Sequence, residues 1–203
     1  MTERARIGAI ILAAGQSSRY RAADPAAISK VVATLEGKPL VRRVAEAALA
    51  AGLDPVFVVT GFARTQTEQA LAGLAVRFAH NPAFAEGLAS SLKTGVAAMP
   101  ADVAGAAILL ADMPRVHTDS IGALVRAFAA NPHAAAVVPS WRGQRGNPVL
   151  IRSMLFGEVA RLDGDVGARR LLQGRDDVLE LALEDAGVAF DVDTPDALRA
   201  SPG

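Results

Sequence analysis

Short aliphatic runs recur along this chain, each closed by a small or turn-forming residue and followed by a stretch with helical spacing. IILAA (Ile10 to Ala14) breaks at Gly15, PVFVVT runs into Gly61, AGAAILLA ends on Asp112 before Pro114, and AAAVVPS leads to a glycine-rich turn. Runs this short and apolar suit strands buried on both faces, and their alternation with helical segments points to a three-layer α/β domain with a mostly parallel sheet. The spacing predicts helices over LVRRVAEAALAA (opened by Pro39, stopped at Gly52), Thr65 to Leu71, Gly87 to Met99, Asp119 to Ala130 and Ser153 to Arg161. It also predicts a turn at Gly37, strands at Val76 to Phe78 and at the end of RGNPVLI, and an Asp/Gly corner at DGDVGARRLL. A final strand is expected at Val188 to Val192, then a helix capped by Thr194 and opened by Pro195. With no internal repeat or linker, residues 1–203 read as a single domain.

The totals remove several function classes. Twenty-one basic residues balance twenty-one acidic ones, which argues against a nucleic-acid or membrane-surface protein held by bulk charge. There is no cysteine, so disulfides, thiolate zinc sites and a cysteine nucleophile are excluded. Arg4 and Arg6 ahead of IGAIILAA could open a signal peptide, but the apolar run is short and the strand and helix rhythm continues beyond it. No run approaches the roughly 18 residues of a membrane span. The expectation is a cytoplasmic protein.

The stretch from Ile10 to Lys30 carries the most chemistry. A buried strand that ends on Ala13, Ala14 and Gly15 leaves backbone N–H groups free to face an anion. Arg19 adds a planar guanidinium and Lys30, one of only three lysines, a compact ammonium. That order suits a polyphosphate. It is also compatible with a plain strand end flanked by solvated arginines. Neither G-x-x-x-x-G-K-[ST] nor G-x-G-x-x-G is present, so a P-loop and a dinucleotide fingerprint are set aside.

In a parallel sheet ligands gather outside the carboxyl ends of the strands, where the Gly15 corner, Gly61 and Asp112 all fall. Asp112 there is a natural Mg²⁺ ligand, since that ion takes one or two carboxylates with phosphate oxygens and water; it can equally cap the turn before Pro114. Asp193 is a second candidate ligand, although Asp191 or Asp193 can instead cap the helix that follows. Ser90 and Ser91 stand on the first turns of a helix beside Gly87, either to read a base or sugar or to fill helix positions. Arg145, Gly146 and Asn147 form a polar corner that suits a second substrate or a simple hairpin turn. His80, His117 and His133 lack metal or hydrolase spacing, and no G-x-S-x-G elbow exists. A nucleophile would therefore arrive with the substrate.

Together, LAAGQSSR with Lys30, GKPLVRRVAEAAL, VVTG, NPAFAEGLASSLKTG, LLADMP, RGNPVL, GDVGAR and DVDTPDAL resemble the molybdenum cofactor nucleotidyltransferases. The resemblance is closest to the cytidylyltransferase branch of the MobA-like nucleotide transferases, and it runs from Ile10 to Leu198. It implies a Rossmann-like nucleotidyltransferase fold and transfer of CMP from CTP to molybdopterin cofactor with release of pyrophosphate. The implied catalytic residues are Arg19, Lys30 and Asp112. Leu12, Ala13, Ala14, Gly15, Gly61, Gly87, Ser90 and Ser91 would lie on the nucleotide, Arg145, Gly146 and Asn147 on the acceptor, and Asp112 with Asp193 on Mg²⁺. A molybdoenzyme partner is implied too. In that family LAAG goes with cytidine nucleotides and LAGG with guanosine. The chain departs from the pattern at Tyr20 and Arg21, where Met and Gly are usual, and at Ser29, where Asn is usual. Readings kept beside this one are a transferase for another phosphorylated acceptor, a GTP-using guanylyltransferase, and a non-catalytic cofactor chaperone.

Overall fold

A computed structural model describes residues 5–199 of the protein; Arg4, part of the segment weighed as a signal peptide, lies outside the described residues. In chain order the strands are β1 (Ile7–Ala13), β2 (Thr34–Leu35), β3 (Lys38–Pro39), β4 (Val56–Thr60), β5 (Arg77–His80), β6 (Gly105–Leu110), β7 (Ala136–Trp141), β8 (Gln144–Arg145), β9 (Val149–Arg152) and β10 (Val178–Ala182). The helices are α1 (Ser18–Ala23), α2 (Leu40–Ala50), α3 (Arg64–Ala70), α4 (Leu88–Ala97), α5 (Thr118–Ala130), α6 (Phe156–Val159), α7 (Ala168–Leu171) and α8 (Pro195–Arg199).

β1 is buried along its whole length because it occupies the middle of the sheet. The order is β10-β7-β9-β6-β1-β4-β5, with β8 paired to β7, making an eight-stranded sheet; β2 and β3 form a separate hairpin turned at Gly37. β1 runs parallel to both β4 and β6, and β4 is parallel to β5, as β10 is to β7. Within this sheet, among the described residues, β9 and β8 alone run against their neighbours. The sheet is thus mostly parallel, the Rossmann-like α/β arrangement.

Side chains of β1 alternate between two cores, as strand geometry requires. Ala9 and Ile11 meet Val41, Val44 and Ala48 of α2 with Ile121 and Leu124 of α5. Ile10 and Leu12 meet Leu92 of α4 with Leu155 and Leu172 on the other face. Gly95 allows the α4 contact, since a Cβ there would sit 2.3 Å from the Ile10 methyl.

Three features differ from the sequence expectation. Val188 to Val192 is not a strand: residues Ala186–Ala189 form a 3-10 turn, capped by Asp185 Oδ1 accepting from Gly187 N at 2.8 Å. Its valines are buried by packing rather than by a ladder; Val192 N donates to Asp112 O, in the loop after β6, at 2.9 Å, and Val188 O accepts from Asn147 N at 2.8 Å. The last strand is instead β10, whose half-exposed VLELA hides in an acidic stretch because an edge strand needs only one apolar side. The helix expected over Ser153 to Arg161 is a 3-10 turn (Ser153–Leu155) followed by the short α6, and α7 follows the Asp/Gly corner. No described helix is long and apolar enough to cross a membrane.

Candidate active site

The register of the central strands sets Ala13 beside Thr60 and Leu12 beside Leu110, so the chain leaves β1, β4 and β6 at one edge of the sheet. β4 lies on one side of β1 and β6 on the other, and ligands of such sheets gather outside these carboxyl ends. A cavity of about 660 Å³ lies at this edge, lined by Gly15, Arg19, Lys30, Ser91, Asp112 and Asp193 among others.

The corner after β1 is built by Ser17 rather than by Gly15. Ser17 takes the left-handed conformation (φ 55°) and starts α1, while Gly15 has no positive φ and a Cβ added to it meets no protein atom within 4 Å. Nothing in the chain itself therefore demands glycine at 15, although Gly15 lines the cavity. The Ser17 hydroxyl lies 2.9 Å from that of buried Ser29 and accepts from Lys30 N at 3.1 Å. This pairing pins the loop and delivers Lys30 to the cleft. Tyr20, buried with Leu40 and Val192, anchors α1 to the segment that carries Asp193. The departures from the family pattern at 20 and 29 thus have structural roles, and the Arg21 guanidinium stacks 4.7 Å over the Phe62 ring.

Lys30 Nζ stands 2.5 Å from Asp112 Oδ2 and 2.9 Å from Asp193 Oδ1, and Arg19 pairs with the other oxygen of Asp193. Burial pulls the Lys30 ammonium down, but the charge and hydrogen bonds of Asp112 and Asp193 outweigh it and hold it above its ordinary value. The hydrogen bond from Lys30 holds the Asp193 carboxyl below its ordinary value against a smaller opposing effect of burial, and the charges of Lys30 and Arg19 add to it. The cap of α8 is Thr194, whose Oγ1 accepts from Ala197 N at 3.2 Å, which leaves Asp193 to the cations.

Asp112 Oδ1 is buried with no hydrogen-bond partner, so a turn-capping role leaves it unexplained. Carboxylate oxygens of Asp112, Asp191 and Asp193 lie within 4.8 Å of one another. Hard oxygen donors so clustered, one of them orphaned, fit a divalent cation such as Mg²⁺ or Mn²⁺. Asp191 entered the sequence reading only as a helix cap. The signal was available: in extended chain, residues two apart face one side, and DVD puts Asp191 and Asp193 there while Val192 goes to the core.

The remaining candidates separate. Leu12, Ala14 and Gly87 line the cavity with Ser91. Ala13 and Gly61 lie behind it: Ala13 is in the core, and a Cβ on Gly61 would come within 2.7 Å of the Ala14 carbonyl. Ser90 is not among the lining residues, because its hydroxyl is held by Ala83 O, Gly87 O and Asn81 Nδ2. Arg145, Gly146 and Asn147 are not in this cleft; they line a second cavity of about 570 Å³. Asp165 borders both cavities and went unnoticed as a site residue, although it lies in the GDVGAR segment.

A cationic and acidic crevice at the carboxyl ends of a parallel sheet is the arrangement of a nucleotide-handling protein of the α/β class. The chain belongs to the MobA-like NTP transferase family, whose model matches residues 9–180. It is similar to the purine catabolism protein PucB of Bacillus subtilis (strain 168), with 34% identity over 92% of this chain and 91% of that one. It is similar also to the molybdenum cofactor cytidylyltransferase of Escherichia coli (strain K12), with 27% identity over 70% of each chain. Among solved structures it is similar to Rv0371C of Mycobacterium tuberculosis H37Rv in complex with manganese, at 27% identity and a TM-score of 0.76, covering 96% of this chain and 97% of that one.

Proposed function

We propose that the protein is a single-domain, Mg²⁺-dependent cytidylyltransferase that transfers CMP from CTP to molybdopterin cofactor. The observation that carries this reading is the meeting of Gly15, Arg19, Lys30, Asp112 and Asp193 in one cleft. A terminal phosphate oxygen of the acceptor attacks the α-phosphorus of CTP. The new P–O bond forms as the bond to the β-phosphate breaks, and pyrophosphate leaves in line. The acceptor oxygen is already anionic, so no histidine or serine nucleophile is required. Lys30 and Arg19 neutralise the triphosphate, and backbone N–H groups after Ala14 cradle it. Asp112 and Asp193, with Asp191 beside them, would hold the metal, which when bound neutralises phosphate charge and orients the leaving group.

In this reading the acceptor lies in the second cavity, which Arg145 and Asn147 line with Asp165 at the boundary. The methyl of Ala14 narrows the base slot in favour of a pyrimidine. This reading goes with a cytoplasmic protein serving a molybdoenzyme. The similarity to PucB, the higher of the two identities and the more extensive, favours a second reading, in which the same scaffold uses another phosphorylated acceptor or another nucleotide. Pyrophosphate release from a panel of NTPs, with and without molybdopterin cofactor, tests both. Release with CTP that depends on the cofactor supports the first; equal turnover of GTP rejects the Ala14 argument, and release that ignores the cofactor rejects the acceptor.

A further inference from the structure

The ammonium of Lys30 occupies the space between the two carboxylates best placed to hold a metal. It is 2.5 Å from Asp112 Oδ2 and 2.9 Å from Asp193 Oδ1, while Arg19 takes the remaining oxygen of Asp193. Lys30 and Asp112 are well shielded from water, with side-chain exposures of 17% and 16%, so these contacts are weakly screened. Asp112 Oδ1 has no partner but is buried, so a divalent ion set between Asp112 and Asp193 competes with the ammonium for Asp112 Oδ2 and Asp193 Oδ1.

We infer that Lys30 is a built-in counter-cation for the aspartates, and that the cleft accepts its divalent ion as the complex with a nucleoside triphosphate rather than as the free ion. The inference rests on the reading of the cleft as a metal and nucleotide site, but not on which nucleotide or acceptor is used. A free ion would displace Lys30 and Arg19 from their carboxylates and leave both cations facing a like charge with no replacement partner. A triphosphate arriving with the ion supplies that partner along the Gly15 corner, which lines the same cavity.

The local structure allows the exchange. Ser17 Oγ fixes the Lys30 backbone N–H at 3.1 Å, and Val31 is buried, so the main chain is anchored. The four-carbon stem beyond it has the rotamer freedom to move the ammonium from carboxylate to phosphate. Lys30 therefore couples the two ligands. By reciprocity, nucleotide must tighten metal binding by the same factor as metal tightens nucleotide binding.

The test is a titration of Mn²⁺ alone, followed by electron paramagnetic resonance, into wild type and Lys30→Met, with a parallel titration of metal-free α,β-methylene-CTP in the presence of a chelator. Lys30→Met is expected to bind Mn²⁺ alone at least tenfold more tightly than wild type and to bind the metal-free analogue more weakly. Adding Asp112→Asn to Lys30→Met is expected to abolish the gain. Where Lys30→Met melts early, Lys30→Gln, uncharged with a polar end, replaces it. Equal Mn²⁺ affinity of wild type and the Lys30 variant overturns the exchange while leaving the nucleotide reading intact, as does a gain that survives Asp112→Asn. Failure of wild type to bind the α,β-methylene analogues of CTP, GTP, ATP and UTP, with or without Mn²⁺, overturns both.

Discussion

At Gly15 an added Cβ meets no protein atom within 4 Å, whereas at Gly146 it falls 1.9 Å from the Val188 carbonyl oxygen. Each glycine has arginine nearby, and the two regions use these residues differently. Around Gly15, Arg19 and Lys30 reach across the cleft to Asp193 and Asp112, far away in sequence, while Ser17 and Ser29 form the scaffold. Around Gly146, the glycine itself is the scaffold: its close approach lets Asn147 N donate to Val188 O at 2.8 Å, and Arg145 is held by Glu180 at 2.7 Å. A small residue in a turn is thus explained by the chain in one place and by the proposed ligand in the other. Mutations separate the two.

The largest effects are expected in the cleft and on rate. Lys30→Ala and Asp112→Ala should melt close to wild type and turn over at least a hundredfold more slowly, in line with about 3 to 4 kcal/mol for a lost charge-stabilising group. A rate near wild type in either variant removes that residue from the chemistry. Next comes Gly146→Ala, which should lose about 2 to 3 kcal/mol in urea unfolding because the Cβ meets backbone rather than a flexible side chain. Gly15→Ala is the matched control. Its unfolding midpoint should stay within about 0.5 kcal/mol of wild type while CTP binding weakens, and a stability loss equal to that of Gly146→Ala would erase the distinction.

Smaller effects sharpen the contrast. Arg145→Ala breaks a half-exposed pair and should cost no more than about 0.5 kcal/mol of stability. Glu180 is held below its ordinary pKa first by the hydrogen bond from Arg145 and then by that from Ser140, against burial. A depressed carboxylate stabilises the fold above its unfolded pKa of about 4.3, and that contribution fades as pH falls through the folded value. Unfolding midpoints of wild type and Arg145→Ala should therefore differ at neutral pH and converge in acid. A difference that widens in acid would show that Arg145 acts through some other partner.

Much of the framework was legible because it depends on short-range rules. Buried strands announce themselves as unbroken aliphatic runs, and Gly37 and Gly52, both with positive φ, punctuate them. Asp112 could be found because an acidic residue just past a buried strand has few other places to point. Long-range features were harder to see. That Ser17 rather than Gly15 makes the left-handed turn follows from its hydroxyl meeting Ser29, a contact between residues twelve positions apart. Val188 to Val192 looked like a strand because burial by packing and burial by a ladder leave the same letters. β10 was hidden because Glu180, paired with Arg145 across the sheet edge, disguises it. Asp165 became visible only when the loop holding it folded between the two cavities.

The account stands or falls on where a triphosphate and its ion sit. The most direct measurement is a crystal structure with α,β-methylene-CTP and Mn²⁺, using anomalous scattering to locate the metal. The expected result is a manganese peak against Asp112 and Asp193, triphosphate along the Gly15 corner, and Lys30 Nζ moved onto phosphate oxygen. Manganese or triphosphate bound away from that cleft would contradict it.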